Sequence, residues 1–339
     1  MATHVFITGL SGPAITADER AFLRSAEPWG LILFKRNVEA PDQVAELVQS
    51  FRDILGWHAP VLIDQEGGRV QRLGPPHWPA YPPGAAFARL YERDPDVGLA
   101  AARLGARLIA SDLAALGIDV DCLPLADVPV AEGDPIIGDR AYGTSPGKVA
   151  AIARAVADGL LQGGVLPVLK HLPGHGRAAA DSHLRLPVVD TDRATLEQTD
   201  FAAFRPLGDL PLGMTAHVVF SAIDAAQPAT TSATMIGEVI RGSICFRGLL
   251  MSDDISMGAL SGSLAERSRA SLTAGCDVVL HCNGKLAEME EVAANVPVLA
   301  DEAKRRADAA LAMRAAPQDF DLAAARRLFA KTMGEEPSA

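Results

Sequence analysis

Polar side chains collect at the ends of apolar runs in this chain. Asp64 closes the run APVLID and is followed by Gln65 and Glu66; Asp127 closes IDVDCLPLAD; Lys170 and His171 close VLPVLKH. His217 lies within LGMTAHVVF, Asp253 and Asp254 end GLLMSDD, and DVVLHC leads through His281 and Cys282 to Asn283. These groups are carboxylates, imidazoles and one lysine, joined by Arg72 and Arg140, with no evident activated serine or thiol. Cleavage of a glycosidic bond needs little more: one carboxylate attacks or stabilises the anomeric carbon while a second group protonates the leaving oxygen. A metal-dependent hydrolase is an alternative use of the same residues, with His171, His183, His217, Asp253 and His281 as ligands. His171 and His175 stand four apart, but Pro173 and Gly174 between them break the helix that such a metal pair requires. A non-catalytic sugar-binding protein is the alternative outside enzymology.

The elements that position these residues are short runs rich in Val, Ile and Leu, each followed by an amphipathic, Ala-rich stretch. That alternation marks parallel βα units. Eight runs are present, near Val5, Leu31, Val61, Val120, Val168, Met214, Leu249 and Val279. The stretches between them include PDQVAELVQSFRDILG and PGKVAAIARAVADGLLQGG, which open on Pro and close at Gly as helix ends prefer. Eight units predict an α/β fold, a single (β/α)8 TIM barrel spanning residues 1–339, with two C-terminal helices from about residue 300 covering its outside. Active-site groups of such barrels come from the carboxyl ends of the strands, where the polar residues fall here. A satisfied core residue explains one such position but not six in succession.

Composition narrows the function classes. The 339 residues are 49% hydrophobic and 22% charged, with a net charge of -11 and no long Lys/Arg run. This argues against a nucleic-acid or anionic-membrane partner and favours a small ligand. The first residues lack a basic segment followed by an apolar core, and no apolar stretch is long enough to span a bilayer, so a cytoplasmic location is expected. The spacing of Cys122, Cys245, Cys276 and Cys282 matches no zinc or disulfide framework; buried free thiols are expected. No cofactor or metal is expected, and a monomer is the default.

The most informative stretch is KHLPGHGRAAADSHLRLP, from Lys170 to Pro187. It resembles the KHFPGHG…DSH signature of bacterial β-N-acetylhexosaminidases in glycoside hydrolase family three. The resemblance continues in order through IDQEGGRVQRL at residues 63–73, IGDRAYG at 137–143, MTAHVVF at 214–220 and FRGLLMSDDISMGA at 246–259. It implies a retaining enzyme with Asp253 as nucleophile, His183 as general acid/base and Asp181 as its carboxylate partner. Asp64, Arg72, Arg140, Lys170 and His171 then hold the sugar hydroxyls and acetamido group, and Asp254 is a neighbour of the attacker. The implied substrate is terminal N-acetylglucosamine on anhydromuropeptides of peptidoglycan recycling. A phosphorylase or β-glucosidase on the same fold, and substrate-assisted hydrolysis by the acetamido oxygen, are the nearest alternatives. Leu172, Ile255 and Ala141-Tyr142 depart from the usual residues without altering a reacting group, whereas FITGLSG lacks an acidic residue expected in the pocket wall.

A histidine suits the acid/base role because its ordinary pKa of ~6.5 lies close to working pH. Asp181, two residues away, is placed to fix its tautomer if the segment is extended. The glycines and alanines around the segment suggest that it is delivered by loop motion; a ligand-free structure with the loop already closed counts against this.

Overall fold

The structure is a computed structural model that describes residues 3–182 and 184–334. The expected eight runs form eight parallel strands in a closed barrel. They are β1 (His4–Thr8), β2 (Pro28–Leu33), β3 (Val61–Ile63), β4 (Val120–Asp121), β5 (Leu166–Leu172), β6 (Leu212–Thr215), β7 (Leu249–Asp254) and β8 (Val278–His281). Each strand pairs with its successor, and β1 closes the ring on β8 with Phe6 opposite Val279. Side chains on both faces of these strands are covered, which is why the runs read as continuous apolar sequence instead of alternating. β4 is shorter than its run, with ladder partners to β5 only at Val120 and Asp121. Leu123 N–H turns back to the Asp121 carbonyl and Pro124 has no N–H, so the regular ladder stops, although the Leu123 and Pro124 carbonyls still accept from Val168 and Lys170 and one bridge joins Leu125 to Lys170.

The helices start and stop where local chemistry dictates. The helix Pro41–Leu55 opens on a proline and ends at Gly56 with φ 72°. The helix Leu264–Ala274 starts in a Ser263/Glu266 capping box and stops at Gly275 with φ 117°. The two expected C-terminal helices are Asp301–Ala312 and Leu322–Met333. The second lies against the barrel's helical layer: Phe329 is buried with its ring 6.4 Å from Tyr81 and 6.3 Å from Phe87, and Arg326 pairs with Asp112 at 2.6 Å. Burial of Phe329 contributes on the order of 2 kcal/mol to this docking. Arg306 of the first helix reaches Asp277 at 2.7 Å.

One expectation fails. Cys122, Cys276 and Cys282 are buried free thiols, but Cys245 is exposed. It sits at φ 60° in the turn that leads into β7, and the reversal points its side chain outward. Among the described residues no helix is long and apolar enough to cross a membrane.

Candidate active site

At the carboxyl end of the barrel lies a cavity of about 460 Å³ lined by Asp64, Arg72, Arg140, Lys170, His171, His175, Ser182, Asp253 and Asp254, within the usual range for a small-molecule site. Five of the lining residues that sequence reasoning singled out for binding, Asp64, Arg72, Arg140, Lys170 and His171, and the expected nucleophile Asp253 therefore come together. They arrive from β5, β7 and the loops after β3 and β4.

One wall is a chain of alternating charges. Arg72 Nη2 donates to Asp64 Oδ2 at 2.8 Å, and Lys170 Nζ donates to Asp64 Oδ1 at 3.1 Å. Lys170 Nζ also lies 2.6 Å from Glu66 Oε1, and Arg140 grips both oxygens of Glu66 at 2.9 and 2.8 Å. Burial by itself lifts the Asp64 carboxyl, but Lys170 and Arg72 outweigh it and hold the group well below the usual carboxylate range. Glu66 is lowered in the same way by Lys170 and Arg140. Lys170, which burial alone would lower, is raised by Glu66 and Asp64 and stays charged although 2% exposed. Arg72 Nε is buried without a hydrogen-bond partner among the described residues. Glu66, which the sequence placed only as a neighbour of Asp64 at a strand end, thus anchors two of the expected sugar-binding cations.

The local sequence sets up this wall. Gln65 Oε1 accepts the N–H groups of Arg72 and Leu73 at 3.0 Å each, folding the hairpin Gln65–Gly67/Val70–Gln71 so that Arg72 returns over Asp64. Gly67 sits at φ 91°, where a Cβ would lie 2.4 Å from the Pro82 carbonyl oxygen. Asp121 Oδ1 accepts Gln65 N–H at 3.0 Å from below, and burial raises its carboxyl far above the usual range.

The second wall is histidine-rich. Asp127, fully buried, accepts from His171 Nδ1 at 2.7 Å and from the backbone N–H groups of His175 at 2.7 Å and His171 at 3.3 Å. This leaves His171 Nε2 as the ring nitrogen available to a ligand. Burial, reinforced by the neighbouring His171, pushes His175 down to about 4. His217 does not line the cavity; its Nε2 donates to the Asp254 carbonyl at 3.0 Å and Thr230 Oγ1 lies 2.7 Å from its Nδ1. It braces the backbone beside Asp253, and burial lowers its pKa, keeping the ring neutral. His281 is also fully buried, 3.4 Å from Glu288. Among the described residues no group of three or more His, Cys, Asp or Glu side chains is arranged to hold a metal ion.

Asp253 takes the Asp254 N–H on Oδ1 at 2.8 Å. The oxygens of Asp254 are engaged elsewhere, Oδ1 by the N–H groups of Ser256 and Cys282 at 3.0 and 3.2 Å and Oδ2 by Ser256 Oγ at 2.7 Å. Asp181 is half-buried, and its carbonyl accepts from Leu184 and Arg185 N–H. Ser182 beside it reaches the cavity and hydrogen-bonds His175 Nε2 at 3.0 Å. His183 lies outside the described residues.

Asn283, which the sequence placed at the end of the eighth run, lines the cavity too, whereas sequence reasoning missed Phe34, Arg36, Arg69, Met214 and Met257 as lining residues. Arg36 closes the wall where an acidic residue was expected in FITGLSG: it donates to the carbonyl oxygens of Leu10, at 2.7 Å, and Cys282. Arg36 and Arg72 both lie against the Phe34 ring, 4.9 and 5.2 Å from its centroid. The available signal was position, since Phe34 and Arg36 follow β2 directly. The cavity carries five lysine and arginine side chains against three carboxylates among the described residues, in a chain of net charge -11.

Comparison with known proteins agrees with this geometry. Residues 5–312 match the family described as Glycosyl hydrolase family 3 N terminal domain. A Beta-hexosaminidase of Alkalilimnicola ehrlichii is 42% identical over 281 residues, covering 81% of this chain and 79% of that one. A Beta-hexosaminidase of Methylococcus capsulatus is 41% identical over 281 residues, 81% of each chain. The crystal structure of NagZ from Neisseria gonorrhoeae in complex with N-trifluoroacetyl-D-glucosamine superposes with a TM-score of 0.89 at 28% identity, covering 98% of this chain and 99% of that one. Barrel, cavity and relatives together define a glycoside hydrolase. The chain belongs to glycosyl hydrolase family 3, and within it to the β-hexosaminidases.

Proposed function

We propose that this β-hexosaminidase removes terminal, non-reducing N-acetylglucosamine with retention of configuration, through a covalent glycosyl–Asp253 intermediate. The observation that carries the reading is the juxtaposition, in one cavity, of Asp253 with the Arg72–Asp64–Lys170–Glu66–Arg140 ion chain and with Ser182 of the Asp181–His183 segment. Asp64, Arg72, Arg140, Lys170 and His171 bind the sugar hydroxyls and acetamido group. Asp64 suits hydroxyl recognition because two ion pairs leave a carboxylate further lone pairs for sugar O–H donors.

In the first step protonated His183, oriented by Asp181, gives its proton to the glycosidic oxygen as that bond breaks and Asp253 Oδ bonds to the anomeric carbon. In the second, neutral His183 takes a proton from water while the water oxygen bonds to the anomeric carbon and Asp253 leaves as carboxylate. The natural substrates are anhydromuropeptides, the process is peptidoglycan recycling in the cytoplasm, and the chain acts as a single catalytic domain and a monomer. The N-trifluoroacetyl-D-glucosamine of the neisserial structure supports the choice of a 2-acylamino sugar.

The test compares chromophore release from an aryl N-acetyl-β-glucosaminide and an aryl β-glucoside, by wild type and Asp253→Ala, with and without phosphate and chelator. Strong preference for the N-acetyl substrate is expected, lost by on the order of 10⁴-fold in the variant and indifferent to both additives. Preference for the plain glucoside overturns the substrate. Undiminished turnover by Asp253→Ala overturns the nucleophile, and dependence on phosphate overturns hydrolysis.

A further inference from the structure

The Asp181–Ser182–His183 segment follows Arg177 and three alanines, of which Ala178 and Ala180 are buried but offer no polar side-chain atom. Arg177 itself points away, to Asp200 at 2.6 Å and Thr199 at 3.1 Å. On the other side Leu184 is 79% exposed, so burial ends abruptly after the segment. Between these stands Ser182, 3% exposed and held at both ends. Its Oγ lies 3.0 Å from His175 Nε2, and its carbonyl accepts Ala259 N–H at 3.2 Å. Ala259 belongs to the loop that follows Asp253 and Asp254 at the end of β7.

His175 is itself fixed. Its backbone N–H donates to buried Asp127 at 2.7 Å, and its ring packs edge-on against His171 with centroids 5.7 Å apart. Nδ1 is buried without a partner, so among the described residues Ser182 is the polar side-chain anchor of this ring. A continuous path of contacts therefore runs from Asp127 through His175 to Ser182, and from Ser182 to the Asp253 loop.

We propose that His175 and Ser182 form a clasp that fixes the chain at Ser182 beside the loop that follows Asp253, making both of them positioning residues for proton transfer to the leaving group. The proposal rests on the acid/base role assigned to His183 above. Proton transfer demands placement of the donor within a fraction of an ångström, and a residue that sets this placement controls the rate without touching substrate. Cleavage of a substrate whose aglycone leaves readily needs little protonation. The clasp therefore matters in proportion to how poor the leaving group is.

The experiment measures kcat/KM for a series of N-acetyl-β-glucosaminides running from dinitrophenyl through phenyl to methyl aglycones. It compares wild type, Ser182→Ala, His175→Phe, the double variant and His183→Ala, each first checked for folding by thermal melting. His175→Phe keeps the ring packing on His171 and removes both nitrogens. Ser182→Ala and His175→Phe are each expected to lose on the order of ten- to a hundredfold on the poorest leaving group and far less on dinitrophenyl, with the double variant no worse than either single one. An equal loss on every substrate, no loss, or additive losses in the double variant overturns the clasp. A steep dependence in His183→Ala with none in Ser182→Ala and His175→Phe removes the clasp alone. No such dependence in His183→Ala removes the acid/base assignment, and the clasp with it.

Discussion

Replacing Glu66 with glutamine removes one negative charge from the middle of the ion chain while keeping the shape of the side chain. In the native enzyme Glu66 is 7% exposed and faces Lys170 Nζ at 2.6 Å and Arg140 Nε and Nη2 at 2.9 and 2.8 Å. A glutamine retains a single acceptor oxygen and turns its NH₂ toward one of those cations. Breaking a buried pair in this way costs about 3 to 5 kcal/mol, because the cations stay buried with their attraction withdrawn. For 339 residues, an unfolding entropy of about 0.7 kcal/mol/K converts this to a fall in Tm of ~4 to 7 °C. Lys170 and Arg140 also lose their fixed positions, so kcat/KM falls by a similar factor on every aryl aglycone, good or poor. The folded-state carboxyl of Glu66 lies below its ordinary 4.5. Its contribution is complete above that pH and is lost as pH falls through the lower folded-state value. The melting temperature of Glu66→Gln therefore declines less steeply than wild type as the pH is taken below about 4.5. Calorimetry from pH 7 downward, paired with aryl glycoside kinetics, tests all three outcomes. A variant that melts within a degree of wild type and keeps its activity refutes the assignment of Glu66 as the brace of this wall.

Two further outcomes follow from the geometry. Asp127→Asn replaces the carboxylate that fixes His171 Nδ1 and the His175 backbone; kcat/KM is expected to fall on the order of a hundredfold with KM raised, and unchanged steady-state kinetics refutes this. Cys245 is exposed while the other three cysteines are buried, so a thiol reagent should label one cysteine rapidly in the native enzyme and the rest only after denaturation. Rapid modification of a second cysteine contradicts the burial described.

The barrel was legible because its strands are covered on both faces and therefore read as unbroken apolar runs, and because Pro, Ser and Gly mark the helix ends. β4 shows the limit of that reading: its run suggested a longer strand, and a tight turn of Leu123 N–H onto the Asp121 carbonyl, just before Pro124, ends the regular ladder early. Strand-end position also located the cavity, but it could not separate a lining residue from a brace. His217 ends an apolar run as plausibly as Lys170 does, yet it faces the Asp254 carbonyl and a threonine. The partner of Glu66 was invisible because Arg140 lies 74 residues further along the chain. Arg36 was missed because it binds backbone carbonyls, which carry no residue-specific signal. Cys245 defeated an argument from average cysteine burial, since its exposure comes from one left-handed turn. The roles given to Asp181, His183 and Asp253 came from motif resemblance; spacing alone gave only their candidacy.

The alternating ion chain also constrains how this pocket can diverge. Its five charges come from positions 64, 66, 72, 140 and 170, and each interior member serves two neighbours. Loss of the Asp64 carboxylate strands Arg72 and loss of the Glu66 carboxylate strands Arg140, while a complementary second replacement at the stranded partner need not. A lineage altering its sugar preference through either carboxylate must therefore cross a fitness valley one codon wide or change two distant codons together. Leu184, exposed and outside any such pairing, carries no comparable coupling and can drift by single substitutions.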